Sequence, residues 1–179
     1  LAENVLVGKQ LFYSALQPMS GRHWIACSSC HPDGDPDGRT WQNPEGLRNT
    51  QALFGMAWTH PIHWSADRDE VQDFEHTIRG ELMQGRGLIK GEVNSPLEKP
   101  NAGLSASLDA LAAYTNSHTF TLSPHAKQGL SDSAKRGREL FFSEETQCAS
   151  CHSGPYFTDS APTPTSHLHD VGTGTVDKS

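Results

Sequence analysis

The chain has few cysteines, few basic residues and no long apolar run. Its 179 residues include four cysteines, and no stretch approaches the roughly 18 apolar residues of a membrane span. Lys and Arg number 14 against 21 Asp and Glu, which gives a formal charge of −7. A nucleic-acid partner, which requires a basic face, is therefore not expected. Hydrophobic residues make up only 35% of the chain, so we expect a bound group to supply part of the core.

All four cysteines lie in two copies of the motif Cys-x-x-Cys-His, at positions 27–31 and 148–152. This spacing is typical of covalent attachment of a c-type haem, in which both thiols add to one macrocycle. The adjacent histidine is then held beneath the iron as a ligand. The sequence therefore predicts two covalently attached haem c groups, with these attachment and ligand residues: Cys27, Cys30, His31, Cys148, Cys151 and His152.

Two other uses of such cysteine pairs are a redox dithiol and a zinc site. A thioredoxin-like dithiol needs no following histidine and lies near a βαβ pattern, which this sequence does not show. A zinc site that used all four cysteines would leave both histidines unexplained. Haem attachment accounts for every residue of both motifs.

A second repeat precedes each motif. Gly-x-x-Leu-Phe-aromatic-Ser occurs at 8–14 and again at 137–143, which indicates two copies of one domain. Helical spacing of apolar residues predicts further helices in the first copy at about 69–79 and 104–114. In small cytochromes c, the closing helix packs an aromatic residue across the first helix near a glycine, and Gly8 and Tyr114 are the expected pair.

These patterns predict an all-α fold with two cytochrome c-like haem domains in tandem and long loops rich in glycine and proline. Domain 1 is expected over residues 1–117, a linker over 118–131 and domain 2 over 132–179. Domain 2 lacks a closing helix after its motif, so we expect it to be incomplete. A fragment, a cleaved chain and an abbreviated fold would each explain this.

Beyond the two motifs, the chain resembles the bacterial di-haem cytochrome c peroxidases and their di-haem relatives. The similar segments are 48–50 and 57–61, His63–Arg68, and 154–159 with 169–174. The resemblance implies a di-haem scaffold and places Trp64 between the haems. However, the loop at 39–46 has no histidine, whereas the peroxidases have a dissociable haem ligand there. The second Arg-x-Thr segment of that family is also missing.

The ligands on the far side of each iron are less clear from the sequence. For the first haem we favour Met83, in a glycine-bounded loop about fifty residues after the motif, although a methionine there also suits a core position. His63 and His76 are rivals, and Met56 is expected in the core. No methionine follows Cys148, so the second haem would take a histidine or stay open. The histidine candidates are His118, His125, His167 and His169.

Three functions are compatible with these motifs. The leading one is electron transfer through the two haems, to a basic redox partner or within a larger complex. The second is peroxide reduction at an open iron, with Gln42 or Glu45 as the proton-moving group. The third is a haem module of a larger redox assembly, so whether the chain is itself an enzyme stays open. Because haem c is attached outside the bacterial cytoplasm, we expect a periplasmic or exported protein.

Overall fold

A computed structural model describes residues 1–44, 46–120, 122–159 and 169. These residues form five α-helices and one two-stranded sheet, connected by loops and short 3-10 turns. The helices and strands, in chain order, are α1 (Glu3–Phe12), β1 (Thr40–Asn43), β2 (Gly46–Asn49), α2 (Glu75–Arg79), α3 (Ala106–Asn116), α4 (Asp132–Phe141) and α5 (Cys148–Cys151). The 3-10 turns span Cys27–Ser29, Pro32–Gly34, Met56–Trp58 and Val71–Phe74.

The first copy is built around the crossing of α1 and α3. A Cβ added at Gly8 would lie 1.9 Å from the Ala110 carbonyl oxygen and 2.8 Å from the Tyr114 Cβ. Only glycine lets the two backbones approach this closely. The Phe12 ring meets the Tyr114 ring edge-on, with centroids 5.2 Å apart. The crossing is therefore where the sequence predicts it.

Two apolar clusters form the core of the first copy. The larger joins α1, α3 and the loops that carry Met19 and Met83, and Cys27 and Cys30 pack against it. The smaller cluster contains Met56, Ile62, Val71 and Ala112. Ser105 caps α3 by accepting a hydrogen bond from the Leu108 N–H at 3.3 Å.

The prediction of an all-α fold is wrong. Strands β1 and β2 form an antiparallel hairpin in which Thr40 pairs with Asn49 and Trp41 with Arg48. The Asn49 side chain donates a hydrogen bond to the Thr40 hydroxyl at 2.8 Å, and the Trp41 indole donates to Asp37 at 2.8 Å. Because these contacts are polar, the hairpin lacks the apolar alternation that identifies a strand in a sequence.

The second copy differs from the first in having no closing helix among the described residues. Ser131 caps α4 by accepting from the Ala134 N–H, but α4 has no buried residue. A Cβ added at Gly137 would meet no atom within 4 Å, in contrast to Gly8. The division into domains 1–117 and 132–179 with a linker stays a prediction. No helix among the described residues is long and apolar enough to cross a membrane.

Candidate functional site

The first Cys-x-x-Cys-His motif lies against the larger core cluster. Cys27 and Cys30 flank the 3-10 turn and both pack on that cluster as free thiols. Burial raises the pKa of Cys27 to about 11, and it also raises the pKa of Cys30. Both groups are therefore uncharged thiols at neutral pH.

His31 is oriented by a backbone carbonyl twenty residues later. Its Nδ1 lies 2.9 Å from the Gln51 carbonyl oxygen, so Nδ1 carries the proton and Nε2 keeps its lone pair. Burial is the main reason why the pKa of His31 is lowered, and the nearby His118 lowers it further. A neutral imidazole fixed through Nδ1 is the usual state of a metal-ligating histidine.

The second motif repeats this arrangement. Cys148 and Cys151 begin and end α5 as free thiols, and the His152 Nδ1 lies 3.1 Å from the Phe157 carbonyl oxygen. The Phe141 ring, at the repeat position of Phe12, lies 6.4 Å from the His152 ring. Both motifs thus present two thiols and an imidazole whose Nε2 has no hydrogen-bond partner among the described residues. This donor set fits a covalently attached haem.

Met83 is buried in the core cluster that also contacts Cys27 and Cys30. It is 5% exposed, so the structure places it near the first motif as the sequence suggests. Met19 lies in the same cluster with no exposed surface, and the Gly21 N–H binds the Met83 carbonyl oxygen at 2.8 Å. Met19 is therefore a rival ligand that the sequence pattern did not indicate. Met56 belongs to the other cluster.

The other two rivals, His63 and His76, line a cavity of about 240 Å³. Asp67 organises one side of it, because its carboxylate accepts from the His63 Nδ1 at 2.8 Å and from the Arg68 guanidinium at 2.8 Å. Burial raises the pKa of Asp67, but the hydrogen bond from His63 and the charge of Arg68 together lower it below its usual value. Asp67 is therefore an anion that holds the side chains of His63 and Arg68 at the cavity.

The candidates for the second haem lie in different places. His118 packs in the first copy, with its ring centroid 4.9 Å from that of Tyr114. His125 is exposed, and His167 lies outside the described residues. His169 pairs with Asp159 at 2.6 Å, and both lie within 4.8 Å of the Cys151 sulfur, so among the described candidates His169 is the one beside the second motif.

The structure describes one of the two residues proposed for proton transfer. Gln42 lies in β1 and is exposed, while Glu45 lies outside the described residues. The attachment residues, the two proximal histidines and Met83 stay predictions as haem ligands.

Comparison with known proteins gives a different relative from the resemblance noted in the sequence. No family model matches the chain. Over 98% of its length the chain is 27% identical to hydrazine synthase subunit gamma of Kuenenia stuttgartiensis. A solved structure of Kuenenia stuttgartiensis hydrazine synthase under xenon pressure matches 89% of the chain with a TM-score of 0.61 and 22% identity. The chain spans about half the length of the curated relative, 50%.

These findings correct the functional interpretation. The relatives are hydrazine synthase chains and not di-haem peroxidases, so the assignment to the peroxidase-like family is wrong. The two functions drawn from that scaffold, a di-haem cytochrome for electron transfer and a peroxidase, are wrong with it. The relative is named as a subunit, which agrees with the expectation of a larger complex.

Proposed function

We propose that this chain is part of a gamma-type subunit of a complex that forms hydrazine. The observation that carries the proposal is the match along 98% of the chain to hydrazine synthase subunit gamma. The shared fold over 89% of the chain supports it. Because the chain spans half of that relative, it would supply one portion of the subunit and not the whole complex.

The two Cys-x-x-Cys-His motifs would hold haem c in this subunit. Cys27 with Cys30 and Cys148 with Cys151 would form the thioether links, and His31 and His152 would bind the irons. Haem iron supplies one-electron redox chemistry, tuned by its ligands and surroundings. The chain's own part is to fix both imidazoles through carbonyl oxygens, at 2.9 Å for His31 and 3.1 Å for His152. Such attachment would place the protein in the periplasm or outside the cell.

Exposed apolar side chains on the second copy support the proposal that the chain belongs to an assembly. Leu140 is 54% exposed, Phe142 55% and Phe157 54%, and all three lie on or beside α4 and its motif. A concentration of exposed large apolar side chains marks a contact surface. In the first copy the equivalent helix is covered: Phe12, the counterpart of Phe141, lies beneath α3 and is 1% exposed. We therefore expect other parts of the complex to cover α4.

The proposal is tested by purifying the native protein under conditions that keep assemblies intact. We expect the chain to co-purify with other subunits at constant stoichiometry, and the fraction that contains it to form hydrazine. Isolation as a free monomer, with hydrazine formation in fractions that lack it, would contradict the proposal.

Haem attachment is tested separately on the purified chain. Denaturing mass spectrometry should give the polypeptide plus two haems, and a Cys148→Ser, Cys151→Ser double variant should retain one. A Ser28→Ala variant, which changes the first motif without touching a predicted ligand, is the control and should retain both. A wild-type mass equal to that of the bare polypeptide would refute the haem assignment.

A further inference from the structure

The cavity beside α2 has no role in the proposed function. It is bordered by the end of the hairpin, by the turn that follows Ile62, and by α2 with the residues after it. Its polar lining consists of Asn43, His63, Arg68, His76, Thr77 and Glu81. A volume of about 240 Å³ is that of about eight water molecules, so it suits a ligand of a few heavy atoms.

Arg68 is the group that points to a ligand. Its side chain is 12% exposed, and its NH1 group binds the Asp67 carboxylate and the Asp67 carbonyl oxygen, at 2.8 and 3.0 Å. The buried Nε has no hydrogen-bond partner among the described residues. This Nε has almost no accessible surface, so a ligand would meet the rest of the guanidinium, since Arg68 lines the cavity.

His63 supplies a second donor beside Arg68. Its Nδ1 binds the Asp67 carboxylate at 2.8 Å, which leaves Nε2 for another partner. The residue lies at a φ of 76°, and Ala66 in the same turn at a φ of 50°. Both are left-handed conformations that cost energy for residues with a side chain. The turn therefore holds His63 and Arg68 on either side of one carboxylate despite backbone strain.

The lining favours an anion that accepts several hydrogen bonds. Arg68, the Thr77 hydroxyl and the Asn43 amide can all donate, and a guanidinium suits the two oxygens of a carboxylate-like group. Asp67 is already engaged by His63 and Arg68, and Glu81 is the remaining acidic group of the lining. A cationic ligand would meet two imidazoles and a guanidinium, so it is disfavoured.

We infer that this cavity binds a small oxyanion or the carboxylate end of a ligand, through Arg68 and His63. Two sources offer that chemistry: a free anion, and a propionate of a haem attached at the first motif. The second source is suggested by Leu82, which lines the cavity and packs on the cluster that contacts Cys27 and Cys30. Only this second source depends on haem, and neither depends on hydrazine formation.

The test compares Arg68→Gln with Arg136→Gln in the purified, matured protein. Arg136 is an exposed arginine on α4 and controls for loss of one positive charge. Nitrite and acetate are titrated into each protein by calorimetry, and the reduction potential of each haem is followed from pH 5 to 9. Far-UV circular dichroism shows whether each variant is folded, and Arg68→Lys is measured as well because it retains the charge.

If the anion is free, wild type and Arg136→Gln bind a probe saturably. Arg68→Gln should bind it at least about tenfold more weakly, because that is the usual effect of losing a charge-assisted hydrogen bond. If the anion is a propionate, the probes do not bind, and Arg68→Gln alone alters the pH dependence of one haem potential. The pH dependence of that haem potential in Arg68→Lys should then lie between those of wild type and Arg68→Gln. A folded Arg68→Gln protein that matches Arg136→Gln in both measurements would overturn the inference.

Discussion

Replacing Gly8 with alanine should destabilise the first copy. The new methyl group would lie 1.9 Å from the Ala110 carbonyl oxygen and 2.8 Å from the Tyr114 Cβ, so α1 and α3 must separate. Overpacking of this kind costs about 1–3 kcal/mol, and backbone atoms that cannot rotate away place it near the upper end. Alanine regains about 1 kcal/mol of helix propensity. The net expected loss is about 2 kcal/mol of unfolding free energy, or about 10 °C in melting temperature.

The matched control is Gly137→Ala, at the same position of the repeat. Nothing lies within 4 Å of its added Cβ, and α4 is exposed, so helix propensity alone should act and stabilise α4 by up to about 1 kcal/mol. Urea and thermal unfolding followed by circular dichroism measure both variants. A Gly8→Ala protein as stable as wild type would refute the close crossing of α1 and α3.

Three further predictions concern buried groups. Glu75 is fully buried and accepts hydrogen bonds from the Leu88 and Ile89 N–H groups, at 2.9 and 3.0 Å, and from Arg79 at 2.8 Å. Glu75→Gln should therefore lower the free energy of unfolding in urea by about 3 kcal/mol. A loss below about 1 kcal/mol would contradict this network. Burial, with Asp69 nearby, raises the pKa of Asp73 to about 6. The folded state then binds the proton more tightly than the unfolded state, so its contribution to stability should decline from pH 4 to pH 6. Asp73→Asn should lack this decline, and a parallel pH profile in both proteins would show the assignment to be wrong. Met83→Leu conserves volume and should lower the free energy of unfolding by less than about 1.5 kcal/mol. If the Met83 sulfur is the ligand of the first haem, the same substitution should lower the reduction potential of that haem. Met56→Leu is the control.

The sequence predicted features that carry a repeated or apolar pattern better than features that rest on polar contacts. The helix crossing at Gly8 followed from a repeated pattern and a known packing requirement. The hairpin did not, because polar pairs such as Asn49 with Thr40 hold it together and leave no hydrophobic alternation. Met19 was missed for a related reason, since its approach to Met83 comes from two loops far apart in the chain.

The candidate cavity could not be predicted from the sequence at all. His63, Asp67 and Arg68 are close in the chain and form a recognisable turn, but His76 and Asn43 reach the same space only through the packing of α2 and the hairpin. The resemblance to peroxidases was drawn from short segments around two haem motifs, which unrelated activities can share. The similarity to hydrazine synthase subunit gamma extends along 98% of the chain and therefore outweighs those short segments.

Hydrazine formation by the purified assembly tests the central claim most directly. The assembly that contains this chain would be given isotopically labelled ammonium together with hydroxylamine. The nitrogen of ammonium and the nitrogen of hydroxylamine have the same summed oxidation state as the two nitrogen atoms of hydrazine. The product would be identified by mass spectrometry after derivatisation. We expect labelled hydrazine, and we expect it to disappear when this chain is removed with a specific antibody. Undiminished hydrazine formation after complete removal of the chain would contradict the account.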